Sequence, residues 1–203
     1  MKRIAVLVSG GGTNLQALLD SKISNGQIVL VVSSNPGAYA LNRAKNHSIE
    51  TIVVERKLYK NNYVFSQKLL KILADKSIDL IVLAGFMSIL TKSFIKSYPD
   101  RIINVHPSLI PSFCGKGYYG LKVHDRALKK GVKVSGATVH FVNEIPDGGA
   151  IILQKTVKIE PYDTPESLQK RIMLEAEQKI LPKAVNLFCD GRLFVKDGTV
   201  HIK

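Results

Sequence analysis

Asn104-Val105-His106-Pro107 places a side-chain amide two residues from an imidazole. Side chains alternate along a strand with a period of two, so an extended 101–106 segment carries Asn104 and His106 on one face, and Pro107 stops the ladder behind them. An amide donor beside a titratable ring suits a site that moves a proton and stabilises an oxyanion, provided a carboxylate orients and charges the ring. Asp147, in Ile145-Pro146-Asp147-Gly148-Gly149, supplies the carboxylate. A lone histidine at a strand end is otherwise an ordinary polar terminus, so the reading depends on its surroundings.

A second candidate opens the chain. Residues 3–9 form a short β-branched apolar run that breaks into Gly10-Gly11-Gly12-Thr13-Asn14 ahead of a helix-like 15–19 segment. Glycines let backbone N–H groups approach an anion, and a helix start behind them adds partial positive charge, so Gly11, Gly12, Thr13 and Asn14 suit a phosphate. A tight turn with Thr13 as a helix cap explains the same residues. A Walker A loop would need a lysine after the glycines. A dinucleotide fingerprint would need glycine at Leu15 and an acidic residue where Ser33-Ser34-Asn35 stands. Among phosphate ligands, a phosphomonoester survives.

The elements that must position these residues alternate. Buried-type strands at 28–32, 51–54, 78–84 and 101–105 are separated by helices at 39–45, 63–73 and 91–96, which predicts an α/β, doubly wound, mostly parallel sheet covered on both faces. Gly85-Phe86-Met87-Ser88-Ile89-Leu90 follows the fourth strand, where such a sheet builds its crevice. Phe86, Met87, Ile89 and Leu90 either wall a flat heteroaromatic ligand or pack against the next helix. The stretch 107–120, with its prolines and glycines, is too long for a plain connector and reads as a lid or binding segment. After a helix at 121–130, residues 133–143 alternate like a half-exposed strand and 150–159 return antiparallel, with Asp147 at the tip between them. A helix starting at Asp163-Thr164-Pro165-Glu166 carries Leu168, Ile172, Ala176, Ile180 and Ala184 at a spacing of four, with a kink expected at Pro182. On it, Glu177 is either a site carboxylate or a solvated one. A small hairpin at 193–202 completes the Rossmann-like plan with antiparallel strands in its C-terminal part.

The composition narrows the partners. A net charge of +13, from 29 Lys+Arg against 16 Asp+Glu, favours anions. The lysines are scattered and no zinc-finger or RRM signature is present, so a phosphorylated or polycarboxylate small molecule is expected, and no nucleic acid. Apolar runs fall far short of the roughly 18 residues of a membrane helix, and the start lacks a signal-peptide pattern, so no membrane and a cytoplasmic location are expected. Cys114 and Cys189 make neither a disulfide framework nor a metal cluster; both are expected as reduced thiols, with no metal.

Together, Ser9-Gly10-Gly11-Gly12-Thr13-Asn14-Leu15-Gln16, Leu83-Ala84-Gly85-Phe86-Met87, Asn104-Val105-His106-Pro107-Ser108-Leu109-Ile110-Pro111, Gly136-Ala137-Thr138-Val139-His140-Phe141-Val142 and Asp147-Gly148-Gly149 resemble the phosphoribosylglycinamide formyltransferase family, in order and over nearly the whole chain. The resemblance implies transfer of a formyl group from 10-formyltetrahydrofolate, as co-substrate, to the amine of glycinamide ribonucleotide in purine synthesis. It implies that Gly11, Gly12, Thr13 and Asn14 hold the phosphate and that Glu177 meets the ribose. It further implies folate contacts from Met87, Ser88, Ile89 and Leu90, from Asn104, and from Asn143, Glu144, Ile145, Pro146 and Asp147, with Asn104, His106 and Asp147 catalytic. A single domain over 1–203 follows, with a phosphate-binding half at 1–100 and a catalytic, folate-binding half at 101–203, as a monomer or homodimer. Asn104 and protonated His106 would donate to the oxyanion, and Asp147 would raise the His106 pKa and pass a proton through water.

The chain departs from the family pattern at several points. Cys114 stands where relatives usually carry proline, and Gln178 where many carry histidine. The 171–182 segment is one residue longer than in some members, and a folate-contacting arginine that some relatives carry near Asn62 has no assigned counterpart. Two enzymes of the same fold share the Asn, His and Asp. Methionyl-tRNA formyltransferase is expected to need a C-terminal tRNA-binding domain, and formyltetrahydrofolate deformylase an N-terminal regulatory domain and a residue other than Pro107 after the histidine.

Overall fold

The computed structural model describes residues 1–203. Seven strands, β1 (Lys2–Val8), β2 (Gly26–Ser33), β3 (Glu50–Val53), β4 (Leu80–Leu83), β5 (Ile102–His106), β6 (Val134–Phe141) and β7 (Ile151–Lys158), form one sheet in the order β3-β2-β1-β4-β5-β6-β7. β1 to β5 pair in parallel, while β6 is antiparallel to β5 and β7 to β6. Helices α1 (Thr13–Leu19), α2 (Ala40–Asn46), α3 (Asn62–Asp75), α4 (Lys92–Ser97), α5 (Leu121–Lys130), α6 (Pro165–Ile172) and α7 (Gln178–Cys189) cover it, and a separate hairpin pairs β8 (Leu193–Lys196) with β9 (Thr199–Ile202). The expected doubly wound architecture, with antiparallel strands in the C-terminal part, is what the chain adopts.

The period of two explains why both sheet faces are covered. Ile4, Val6 and Val8 of β1 join one core with α1, α2, α6 and α7, and Ala5 and Leu7 join another with α3 and α4. The chain leaves β1 for β2 on one side and later crosses to β4 on the other. A crevice therefore opens past the C-terminal ends of β1 and β4, and the 9–12 and 85–90 loops line its rim.

The last long helix differs from expectation. Leu168, Ile172, Ala176, Ile180 and Ala184 are all buried, as predicted, and Pro182 sits inside α7. An irregularity that was not expected lies upstream, where Met173–Glu177 forms a π-helical turn. A spacing of four drifts by about 40° per step in an α-helix of about 100° per residue, too far for one stripe over four steps. A wider i→i+5 turn takes up the drift and accommodates one extra residue. No helix is long and apolar enough to cross a membrane.

Candidate active site

The antiparallel ladder between β5 and β6 sets Asn104 opposite His140 and His106 opposite Thr138. Asn104 Nδ2 lies 3.2 Å from His140 Nε2. His140 Nδ1 is 2.7 Å from the Phe141 carbonyl, which can only accept, so Nδ1 donates there and Nε2 is left facing the Asn104 amide. This bond pins the amide and leaves its oxygen and one N–H for a ligand. Sequence reasoning missed His140 as the residue that orients Asn104; its signal was its place in the alternating 133–143 run.

His106 is 5% exposed. Its Nε2 donates to the Phe113 carbonyl at 2.9 Å, and Nδ1 faces Asp147 Oδ2 at 3.5 Å. Burial drives its pKa below the ordinary histidine value, Asp147 and the Phe113 carbonyl pull it up, and His140 pushes it down. The net direction is downward. Asp147 thus acts as the sequence suggests, but desolvation outweighs it and disfavours the protonated ring.

Asp147 is carried back over the sheet by the 142–150 connection, with φ +54 at the residue itself. Its carboxylate accepts the Gly115 N–H at 2.8 Å and lies 3.7 Å from His140 Nε2. Burial alone would raise its pKa; His140, His106 and the Gly115 N–H more than offset that and hold it ionised below the usual range. Gly149 allows the fold-back, because a Cβ there would stand 1.8 Å from the Phe141 carbonyl oxygen. The 107–120 segment is anchored over the site. Ser108 Oγ donates to the Ser112 carbonyl, Thr138 Oγ1 to the Ser108 carbonyl, and Gln154 Nε2 to the Ile110 carbonyl. Cys114 lies in that segment, and burial and then Asp147 push its thiol pKa up.

A cavity of about 590 Å³ reaches this cluster at Asp147 alone, from the side of Cys114 and Ile151, and two smaller ones meet at Asn104 and Asp147. The larger of these two, about 420 Å³, includes Thr13, Asn14, Met87, His106, His124 and Glu177 in its lining. The smaller, about 230 Å³, is walled by Ser88, Ile89, Leu90 and Val142 on one side and by Asn143 to Pro146 on the other. Phe86, Asn104 and Asp147 line both. The predicted site residues are thus brought together, with two shifts. Met87 lines the larger cavity and not the smaller one, and Gly11 and Gly12 sit behind Thr13 without lining either.

Glu177, at the end of the π-helical turn, is 8% exposed and accepts from Asn14 Nδ2 at 2.6 Å across 163 positions of chain. Burial raises its pKa and the Asn14 bond lowers it, with a net rise. Asn14 Oδ1 is buried without a partner, as are both ring nitrogens of His124. Burial, with the nearby His106, lowers the His124 pKa to about 4. Buried polar atoms left unpaired are costly, and here they lie where a polar ligand would satisfy them. Sequence reasoning missed His124, whose only signal was its place on the inner face of the 121–130 helix. Asn62, near which some relatives place an arginine, accepts from Arg56 Nε at 2.6 Å.

A sheet-edge crevice with paired cavities around an Asn-His-Asp cluster belongs to a group-transfer enzyme, and comparison with known proteins agrees. Residues 2–185 match the family described as Formyl transferase, and the chain belongs to that family of transferases. It is 42% identical over 205 residues to the phosphoribosylglycinamide formyltransferase of Haemophilus influenzae, covering 100% of this chain and 94% of the relative. A crystal structure of glycinamide ribonucleotide transformylase 1 from Symbiobacterium toebii superposes with a TM-score of 0.93 at 40% identity, covering 100% of this chain and 94% of that one. The chain is also 44% identical over 192 residues to the human trifunctional purine biosynthetic protein adenosine-3, matching 93% of this chain but only 18% of that longer protein. The Haemophilus influenzae relative and the Symbiobacterium toebii structure, at 42% and 40% identity, are thus phosphoribosylglycinamide formyltransferases, while a formyltetrahydrofolate deformylase from Pseudomonas syringae pv. tomato shares the fold with a TM-score of 0.88 at 27% identity, covering 99% of this chain and 65% of that one.

Proposed function

We propose that this protein transfers the formyl group of 10-formyltetrahydrofolate to the amino group of 5-phosphoribosylglycinamide, giving the formylated ribonucleotide and tetrahydrofolate in purine synthesis. The observation that carries the reading is the junction of the two cavities at Asn104 and Asp147. A transfer between two ligands needs its reacting atoms to meet between two binding spaces. The smaller cavity, lined by apolar Phe86, Ile89, Leu90 and Val142 and by polar Asn143 and Glu144, suits a reduced pteridine. The larger one suits a ribose phosphate, with Thr13, the unpaired Asn14 oxygen and the Glu177 carboxyl lining it and Gly11 and Gly12 behind.

The folate supplies an activated formyl carbon. The remaining Asn104 N–H donates to the formyl oxygen as charge develops there, held in place by His140. His106 adds a second donor at Nε2, which in this conformation is engaged by Phe113, so a shift of the 107–120 segment frees it. Ionised Asp147 accepts the proton lost by the attacking amine, directly or through water, and returns it to the folate nitrogen as the bond between that nitrogen and the formyl carbon breaks and the oxyanion collapses to the new amide. Glu177 receives ribose hydroxyls.

The test is to mix protein, phosphoribosylglycinamide and 10-formyltetrahydrofolate and follow the folate absorbance, with a control lacking the ribonucleotide. A change that requires the ribonucleotide is expected, and in Asn104→Ala and His106→Ala it should slow by about 100-fold or more while circular dichroism stays native. Loss of the formyl group without ribonucleotide would mean a deformylase. No change at all would mean a binding role.

A further inference from the structure

The glycine loop has no side chains of its own to hold its peptides in one orientation, and α2 does this from behind. The Ala40 N–H donates to the Gly10 carbonyl at 3.1 Å, and Arg43 Nε donates to the Gly11 carbonyl at 2.9 Å. A trans peptide is planar with its N–H antiparallel to its C=O, so turning both carbonyls toward α2 turns the Gly11 and Gly12 N–H groups away from it. On the other side of the loop, Gly10 and Gly11 have no heavy atom within 4 Å of where a Cβ would stand. Gly12 follows in the left-handed region at φ +72, packed so closely that a Cβ there would lie 2.6 Å from Ala40 Cβ. Successive N–H groups aimed one way around such a residue make an anion-binding concavity.

Arg43 is itself held. Nη1 donates to Gln16 Oε1 at 3.0 Å, Gln16 Nε2 donates to Asp20 Oδ1 at 2.7 Å, and the guanidinium lies 5.0 Å from the centre of the Tyr39 ring. A Gly-Gly peptide flips at low cost because no Cβ biases it, so an external hydrogen bond decides which face its N–H presents. We infer that Arg43 is a positioning residue for phosphate recognition: by clamping the Gly11 carbonyl it aims the Gly12 N–H at the substrate phosphate and so sets the preference for a phosphorylated ribonucleotide over its nucleoside. The inference rests on the reading of the glycine loop as the phosphate site. Arg43 lines neither cavity, so its effect passes through the backbone and not through contact with substrate.

The experiment compares kcat/KM for phosphoribosylglycinamide and for its dephosphorylated nucleoside, in wild type, Arg43→Met, Arg43→Lys and Gln16→Leu, with inorganic phosphate as a competitor. Arg43→Met should lose about 10- to 100-fold of the preference for the phosphorylated substrate through KM, with kcat within about threefold and phosphate competing correspondingly less well. Arg43→Lys should fall between, because an ammonium reaches the carbonyl but not the Gln16 anchor at the same time. Gln16→Leu, which keeps the guanidinium but removes its anchor, should lose about threefold to tenfold and decides the matter if Arg43→Met fails to fold. An unchanged preference in the Arg43 variants, or a fall in kcat with the preference intact, overturns the inference while the phosphate site stands. A wild type indifferent to phosphate overturns both.

Discussion

His106 is a buried imidazole pulled two ways, and the lowering of its pKa follows from desolvation being the larger pull. Asp147 raises its pKa, so removing that charge must lower it: in Asp147→Asn the His106 midpoint, read from ring-proton NMR, should move further below the ordinary histidine value. A midpoint that rises would mean that the carboxylate is not felt by the ring. His124 makes a larger difference to the fold. The unfolded chain takes up a proton there near pH 6.5 and the folded chain only near 4, so its contribution to stability is complete above that window and lost as pH falls through it. Between pH 7 and pH 5 wild type should lose about 2 kcal/mol more than His124→Leu, measured by urea unfolding of both proteins at each pH. Equal losses would show that His124 titrates normally in the folded protein.

At the level of elements, the site is a product of register. Asn104 meets His140 because β6 pairs antiparallel with β5, and a slip of one residue would turn His140 to the other face. The tight return at Gly149 holds the neighbouring carboxylate in place, and Gly149→Ala should cost about 2–4 kcal/mol in thermal or urea unfolding, with activity lost ahead of secondary structure. A variant as stable as wild type would show that the 142–150 connection relaxes freely. These dependencies also explain what could be read beforehand. Continuous apolar runs announced the parallel strands, and the period of two announced that Asn104 and His106 share a face, because both are local properties of the chain. His140, His124 and Arg43 were not legible as partners, since each acts across elements whose pairing is set by long-range packing. The π-helical turn lies between these cases: the exact spacing of four carried its signal, and the expectation of an irregularity at Pro182 alone overlooked it.

For the whole molecule, the charge of +13 is carried by lysines and arginines spread along the chain. If the ribonucleotide is steered by that field, kcat/KM should fall severalfold between about 20 and 200 mM salt while kcat holds, in steady-state assays at fixed pH. A flat response would assign the charge to solubility alone. The Asn14 to Glu177 hydrogen bond has a different reach, joining the first helix to the end of the π-helical turn across 163 positions. At a synthesis rate of roughly 5–20 residues per second, the glycine loop leaves the ribosome about ten seconds or more before its partner carboxyl exists. The nascent chain therefore passes through a period in which the loop is made but the carboxyl end of its pocket is not, and a ligand held between the two can favour the folded protein only after that carboxyl has emerged.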